Sequence, residues 1–174
     1  MSSNRRSFGG LLYAWLPVAF GVAVIMTEST QAFGLAETSG PLRHLWESLF
    51  GPVSSDAKWA HIHFGIRKTG HMLGYGLLGV VLFRAAFLTL RERWTSYLNA
   101  WLSCMAFALI GVLAVAATDE THQLFLPGRT GTWVDVLIDF TGATILQAII
   151  GAFFWRRSTR HELPLTQTSA SLSD

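Results

Sequence analysis

The chain has 174 residues, of which 51% are hydrophobic and 14% are charged. An average soluble domain is about 25% charged, so this composition excludes a disordered chain and supplies more apolar residues than one compact core needs. The 13 basic and 11 acidic residues leave a net charge of +2, which is too small for a nucleic-acid-binding surface, and the single cysteine, Cys104, excludes an internal disulfide.

Four apolar stretches are long enough to cross a membrane as helices, which requires about 20 residues each. They lie at about residues 8–27, 69–90, 95–118 and 133–155. They predict an all-α fold, an integral membrane four-helix bundle within residues 1–160. The Ser- and Thr-rich segment 161–174 is predicted to be a disordered cytoplasmic tail. A signal peptide is the alternative for the first stretch, but the three stretches that follow favour a span.

Basic residues flank the apolar stretches asymmetrically. One group precedes the first stretch, one lies between the second and third, and one follows the fourth: Arg5 and Arg6, Arg91 and Arg93, and Arg156, Arg157 and Arg160. Because positive charge in short loops stays on the cytoplasmic side, the chain is predicted to be a multi-pass protein of the cell (inner) membrane with both termini cytoplasmic. Arg84, inside the second stretch, is expected to snorkel to the head groups.

A short amphipathic helix is predicted in the outer loop between the first two spans. Its apolar residues recur at helical spacing, between Pro41 at the start and Gly51 after the end: Leu42, Leu45, Trp46, Leu49 and Phe50. This interfacial helix either lies flat on the outer leaflet or packs on the ends of the spans. Three histidines of the loop, His44, His61 and His63, are expected to be interfacial or solvated.

Polar residues collect at the predicted outer ends of the second, third and fourth spans. Nine of them are predicted to form a binding or functional cluster: Lys68, His71, Tyr75, Asp119, Glu120, Gln123, Arg129, Asp135 and Asp139. The alternative is that these side chains only tie the helices together, as buried polar groups in membranes often do. Gly142 shares the helix face of Asp139 and is expected to let a neighbouring helix approach closely.

The residue types in the cluster suit several chemistries. Lys68 can neutralise a carboxylate at the membrane edge, and His71 can transfer protons when Tyr75 or a carboxylate orients it. No H-E-x-x-H motif or repeated Cys/His spacing is present, so we expect no metal and no cofactor.

Arg129 has two alternative roles. It can pair with one of three nearby carboxylates, Asp119, Glu120 or Asp135, or it can present its planar guanidinium to a phosphate or carboxylate of a ligand.

Two runs of the sequence resemble the signature of VanZ-like membrane proteins. Lys68-Thr-Gly-His71-Met-Leu-Gly-Tyr75-Gly-Leu-Leu78 resembles their K-x-x-H-x-x-x-Y-x-x-L pattern, and residues 119–135 resemble D-E-x-x-Q-x-F-x-P-x-R followed by an Asp. The chain departs from the usual family residues at three positions, Arg67, Asp139 and Leu146. The resemblance implies a small integral membrane protein. The founding member lowers sensitivity to the glycopeptide antibiotic teicoplanin, and the family's biochemical activity is not established.

These observations favour a cell-envelope protein in the lipid bilayer whose outward-facing cluster binds a lipid-linked cell-wall precursor or a glycopeptide. A role in teicoplanin susceptibility, and so in antibiotic resistance, is implied by the resemblance alone. The alternative is a membrane-embedded hydrolase or transferase acting on a lipid-linked substrate, with His71 and either Asp119 or Glu120 as acid and base. A third hypothesis, a proton-coupled transporter or its partner, is disfavoured because the inner ends of the spans carry few polar groups.

Overall fold

The computed structural model describes residues 7–127, 129 and 131–161, with side chains described as far as Phe153. The predicted tail lies outside the described residues from position 162 onward, as do Arg5 and Arg6. Within the described part the chain forms five α-helices and no strand: α1 (Phe8–Glu28), α2 (Leu35–Phe50), α3 (Asp56–Leu90), α4 (Tyr97–Gln123) and α5 (Trp133–His161). Short 3₁₀ turns at Gln31–Phe33 and Arg91–Arg93 follow α1 and α3.

Four of these helices, α1, α3, α4 and α5, are long and apolar enough to cross a membrane. The predicted all-α bundle with an additional amphipathic helix is therefore confirmed. We call the end of the bundle that holds the end of α1, the end of α4 and the start of α5 the cluster end. The turn between α3 and α4 lies at the opposite end.

Helix α3 lies at the centre of the bundle and packs against α1, α4 and α5. The contact face of α4 is a row of small or β-branched residues spaced by four: Ala100, Cys104, Ala108, Val112 and Ala116, all at most 2% exposed. Small side chains let membrane helices approach closely enough to pack backbone against backbone.

The closest approach lies between α3 and α5. A Cβ placed on Gly142 would be 2.5 Å from the carbonyl oxygen of Met72, so only glycine fits there, and the expected close approach is found. One turn further along α5, the larger Leu146 is accommodated by a glycine on the facing helix, since a Cβ on Gly76 would lie 3.1 Å from Leu146 Cδ2.

Helix α3 begins well before the apolar stretch that predicted it. Ser55 caps its first turn, accepting a hydrogen bond from the Lys58 amide at 3.2 Å, and the helix then continues through residues expected to lie in the outer loop. At 35 residues it is about 50 Å long, against about 30 Å for a hydrocarbon core, so part of it lies beyond the core. Hydropathy reveals only the part of a helix that enters lipid.

Helix α2 also begins earlier than expected. It starts at Leu35, so Pro41 lies inside the helix and does not mark its beginning, while Gly51, at φ 88°, follows its last residue as predicted. The apolar face remains largely exposed, with Leu45, Leu49 and Phe50 each more than half accessible. Whether this face lies flat on the membrane stays a prediction.

The other face of α2 packs on the first turns of α3. Trp59 Nε1 donates a hydrogen bond to Ser39 Oγ at 2.8 Å, and His63 Nε2 lies 3.1 Å from Thr38 Oγ1. His63 is only 2% exposed and stacks on Trp59. The expectation that His63 is interfacial or solvated is therefore wrong, because the packing of α2 on α3 buries it.

Arg84 contacts α1. Its Nη1 donates to the Tyr13 carbonyl oxygen at 3.2 Å, and its guanidinium carbon lies 4.4 Å from the centre of the Tyr13 ring. Arg84 was expected to reach the lipid head groups. In the structure its charge is stabilised by the aromatic ring and the carbonyl oxygen of Tyr13.

Candidate functional site

The cluster end contains an open cavity of about 450 Å³ between α3, α5 and the connection from α4 to α5. We call it the polar cleft. Its polar lining consists of Arg67, Lys68, His71, Glu120, Gln123, Arg129, Thr132 and Asp135, and its apolar lining of Leu35, Phe64, Val134 and Ile138.

Beneath the cleft, a buried carboxylate joins α3 to α4. Tyr75 Oη donates to Asp119 Oδ2 at 3.0 Å, and Gln123 Nε2 donates to the same oxygen at 3.2 Å from one turn further along α4. Tyr75 and Asp119 are each 1% exposed. These two donors stabilise a charge that would otherwise be costly in a poorly hydrated part of the bundle.

His71 lies beside a second buried carboxylate, on α5. Its Nδ1 is 3.5 Å from Asp139 Oδ1, which is longer than an ordinary hydrogen bond. Asp139 is 1% exposed, and neither of its carboxylate oxygens has a hydrogen-bond partner among the described residues. The imidazole is therefore close to a carboxylate that still needs a partner.

Glu120 joins the end of α4 to the start of α5. Its Oε2 accepts a hydrogen bond from the Thr132 amide at 2.9 Å, and Thr132 in turn caps α5, accepting at Oγ1 from the Asp135 amide at 3.2 Å. The positive end of the α5 dipole favours a carboxylate at this position. Glu120 is 5% exposed and lines the cleft.

Lys68 forms an ion pair with Asp135, linking α3 and α5 at the rim of the cleft. Both side chains remain partly accessible, and the pair neutralises a carboxylate of the cleft, as expected for Lys68.

Arg129 has different partners from those proposed from the sequence. Its guanidinium donates to three carbonyl oxygens at the end of α1 and in the following turn: Glu28 at 2.6 Å, Ser29 at 3.3 Å and Phe33 at 3.3 Å. The proposed pairing with Asp119, Glu120 or Asp135 is not found among the described residues. The end of α1 lies next to the connection from α4 to α5, and its last carbonyls have no partners within the helix.

Two polar lining residues, Arg67 and Thr132, were not included in the predicted cluster. Arg67 lies one turn before His71 on α3, and its Nη1 donates to Phe33 O at 2.7 Å, the same oxygen that Arg129 contacts. Thr132 caps α5. Helical spacing from His71 points to Arg67, and the preference for Thr before a helix points to Thr132.

A model of the VanZ/LLP1 family matches residues 11–155, which is most of the chain. The chain belongs to the VanZ/LLP1 family. No curated protein and no solved structure matches it. The VanZ/LLP1 match covers most or all of each spanning helix and the whole polar cleft.

In this VanZ/LLP1 protein the nine residues predicted from the sequence lie together at one end of the bundle, in two layers. Six line the cleft: Lys68, His71, Glu120, Gln123, Arg129 and Asp135. The other three, Tyr75, Asp119 and Asp139, are buried. The residues that line the cleft carry guanidinium and ammonium groups that suit an anion. One of them, the His71 imidazole, lies against the buried Asp139 carboxylate, and this arrangement suits proton transfer or metal binding.

Proposed function

We propose that the polar cleft binds the anionic group of a lipid-linked cell-wall precursor on the outer face of the cell membrane. The observation that carries this proposal is the convergence of Arg67 and Arg129 on the carbonyl oxygen of Phe33. Two guanidiniums that share one neutral acceptor repel each other, and neither has a hydrogen bond to a carboxylate among the described residues. A phosphate between them removes that repulsion and accepts bidentate hydrogen bonds.

The apolar surroundings of the cleft support a lipid-linked ligand. A second cavity of about 210 Å³ shares Val134 and Ile138 with the cleft and continues along α5 past Met72, Leu137 and Thr141. An anionic head group in the cleft would therefore have its hydrocarbon chain beside an apolar groove. A water-soluble glycopeptide would leave this groove unused.

The test is a binding measurement on the full chain in lipid nanodiscs. A polyprenyl diphosphate should bind, and the corresponding polyprenyl alcohol should bind at least about tenfold more weakly, because a charge-assisted hydrogen bond contributes about 1.5–3 kcal/mol. Arg67→Gln should weaken diphosphate binding, and Arg67→Lys should weaken it less. The matched control is Arg93→Gln at the opposite end, which should bind as the original chain does.

Teicoplanin provides the competing arm of the same experiment. If teicoplanin binds and the diphosphate does not, the ligand is a glycopeptide and the lipid-linked version of the proposal is wrong. If neither binds, the cleft is not an anion site. For the lipid-linked ligand we also propose a role in teicoplanin susceptibility, because a protein that holds cell-wall precursors alters the target that glycopeptides reach.

A second candidate function is hydrolysis or group transfer on the same lipid-linked substrate. It is favoured by the position of His71 at the cleft wall, 3.5 Å from Asp139 and next to Glu120. An imidazole beside a carboxylate can accept a proton from an attacking water or hydroxyl group. Release of inorganic phosphate from the diphosphate, lost in His71→Ala with binding retained, would establish an enzyme; binding without turnover would establish a binding protein.

A further inference from the structure

We infer that His71, Glu120 and Asp139 form a binding site for a divalent transition-metal ion, Zn²⁺ or Mn²⁺, at the floor of the polar cleft. The three residues come from three different helices, α3, α4 and α5. One potential ligand atom from each lies within 4.8 Å of the other two. This inference does not depend on the anionic ligand proposed above.

The state of Asp139 is the observation that points to a ligand. Its side chain is 1% exposed, and both carboxylate oxygens lack a hydrogen-bond partner among the described residues. A buried carboxylate without partners costs several kcal/mol, and most such groups in proteins are paired or bind a metal. His71 Nδ1, at 3.5 Å from Asp139 Oδ1, is too far for a good hydrogen bond and is itself a potential metal ligand.

The geometry needs little adjustment to hold an ion. Ligand atoms about 2.1 Å from a common ion lie roughly 3–4 Å apart, so side-chain shifts of less than about 1 Å bring the three groups into range. The Glu120 carboxylate is already oriented by the Thr132 amide, which bonds its Oε2 at 2.9 Å. Protein metal sites usually fix the orientation of their ligands through hydrogen bonds of this kind.

The donor set selects the class of ion. One imidazole nitrogen with two carboxylates suits Zn²⁺ or Mn²⁺, whereas Ca²⁺ and Mg²⁺ prefer sites built only from oxygen. Three protein ligands leave further coordination positions, and because His71 and Glu120 line the cleft, the ion can enter from it. The two carboxylate charges would balance the charge of the ion, which makes the occupied site neutral in surroundings of low polarity.

The charged groups around the site are compatible with this assignment. Lys68 lies above it but is paired with Asp135, and Asp119 lies beside it with Tyr75 and Gln123 bound to one of its oxygens.

The test uses the full chain purified through a tag without histidine and treated with EDTA. The protein is dialysed separately against Zn²⁺, Mn²⁺ and Mg²⁺, and bound metal is counted by mass spectrometry. We expect one equivalent of Zn²⁺ or Mn²⁺ and no stoichiometric Mg²⁺. His71→Ala and Asp139→Asn should each lower the affinity by more than about tenfold, and His61→Ala, an exposed histidine on the same helix, should leave it unchanged.

A second measurement needs no variant, so it tests the site even if the substituted proteins fail to fold. In the original chain, bound metal should protect His71 from modification by diethyl pyrocarbonate, as mapped by peptide mass spectrometry, while His61 and His122 stay reactive. The inference is overturned if no ion binds stoichiometrically, if Asp139→Asn and His71→Ala bind as well as the original chain, or if metal leaves the modification of His71 unchanged.

Discussion

Tyr75 and Asp119, 44 residues apart in sequence and each 1% exposed, meet through a 3.0 Å hydrogen bond that joins the central helix α3 to α4 beneath the polar cleft. The phenol oxygen donates and the carboxylate accepts. The contact both stabilises a buried charge and fixes the relative position of the two helices that supply most of the predicted cluster.

Tyr75→Phe should therefore lower the unfolding free energy in detergent micelles by about 1–3 kcal/mol, because it removes one donor from a buried carboxylate and leaves Gln123 as its hydrogen-bond donor. The measurement is a denaturant titration. Tyr97→Phe is the matched control, since Tyr97 is 70% exposed, and it should change stability little. Equal stability of the two variants would mean that Asp119 gains nothing from the phenol.

Gly142→Ala should be destabilising although alanine favours helices. The added Cβ would lie 2.5 Å from Met72 O, so α3 and α5 must separate, at a cost of about 1–3 kcal/mol. The melting temperature in micelles measures this. Gly74→Ala on α3 is the control: no atom lies within 4 Å of its Cβ, and it should be neutral or stabilising. A Gly142→Ala protein as stable as Gly74→Ala would contradict the close packing of α3 on α5.

Arg129→Lys should lower stability by about 1–3 kcal/mol, because lysine keeps the charge but loses the fork that reaches three carbonyl oxygens. Asp135→Asn should not rescue Arg129→Lys or Arg129→Ala, since the partners of Arg129 are carbonyls. Arg93→Lys at the opposite end should be close to neutral. Recovery of stability in the double mutant would instead support an ion pair between Arg129 and Asp135.

The segment after α2 should loosen in acid. Arg43 and, more weakly, the Val53 amide donate hydrogen bonds to Glu47, and they hold the pKa of that carboxyl below its ordinary value of 4.5. A carboxyl with a lowered pKa stabilises the fold above 4.5, and this contribution is lost as the pH falls through the folded-state pKa. The protection factors of the amides at residues 47–55, which compare the observed exchange rate with the intrinsic rate at the same pH, should therefore fall below about pH 4.5. Glu47→Gln should remove this pH dependence, whereas Glu37→Gln, in the first turn of α2, should retain it.

The orientation in the membrane can be tested with single cysteines in a Cys104→Ser background. A cysteine at Ser48, exposed on α2, should react in intact cells with a thiol reagent that cannot cross membranes. A cysteine at Thr95, exposed at the opposite end, should react only after the cells are permeabilised, because Arg91 and Arg93 are predicted to keep that turn in the cytoplasm. Labelling of Thr95→Cys in intact cells would reverse the proposed topology.

The sequence predicts much of the fold because apolar length alone identifies the four spans. Helical spacing likewise predicts which residues share a face, as with Lys68, His71 and Tyr75 on α3. The sequence does not predict which partners the site residues contact. Arg129 contacts carbonyls at the end of α1, about 100 residues earlier in the chain, and no local pattern indicates that this end lies next to the connection from α4 to α5.

The same limitation explains the other differences. His63 is buried because α2 packs on α3, a contact between two elements that polarity alone assigned to a loop. The early start of α3 follows from capping by Ser55, and the turns that it adds carry charged residues and histidines among their apolar ones, so that hydropathy did not identify them as part of a span. Burial and capping outside the hydrocarbon depend on tertiary contacts, which hydropathy does not report.

The uninterrupted length of α3 makes the bundle mechanically sensitive to its bilayer. Trp59, held under α2, and His71, at the cleft, belong to the same 35-residue rod with no proline between them. Long helices respond to a thinner bilayer by tilting. Such a tilt would displace α2 and the cleft together. The geometry of the cleft would then depend on membrane thickness. Lipids of different chain length should therefore alter ligand affinity even when they make no contact with the ligand.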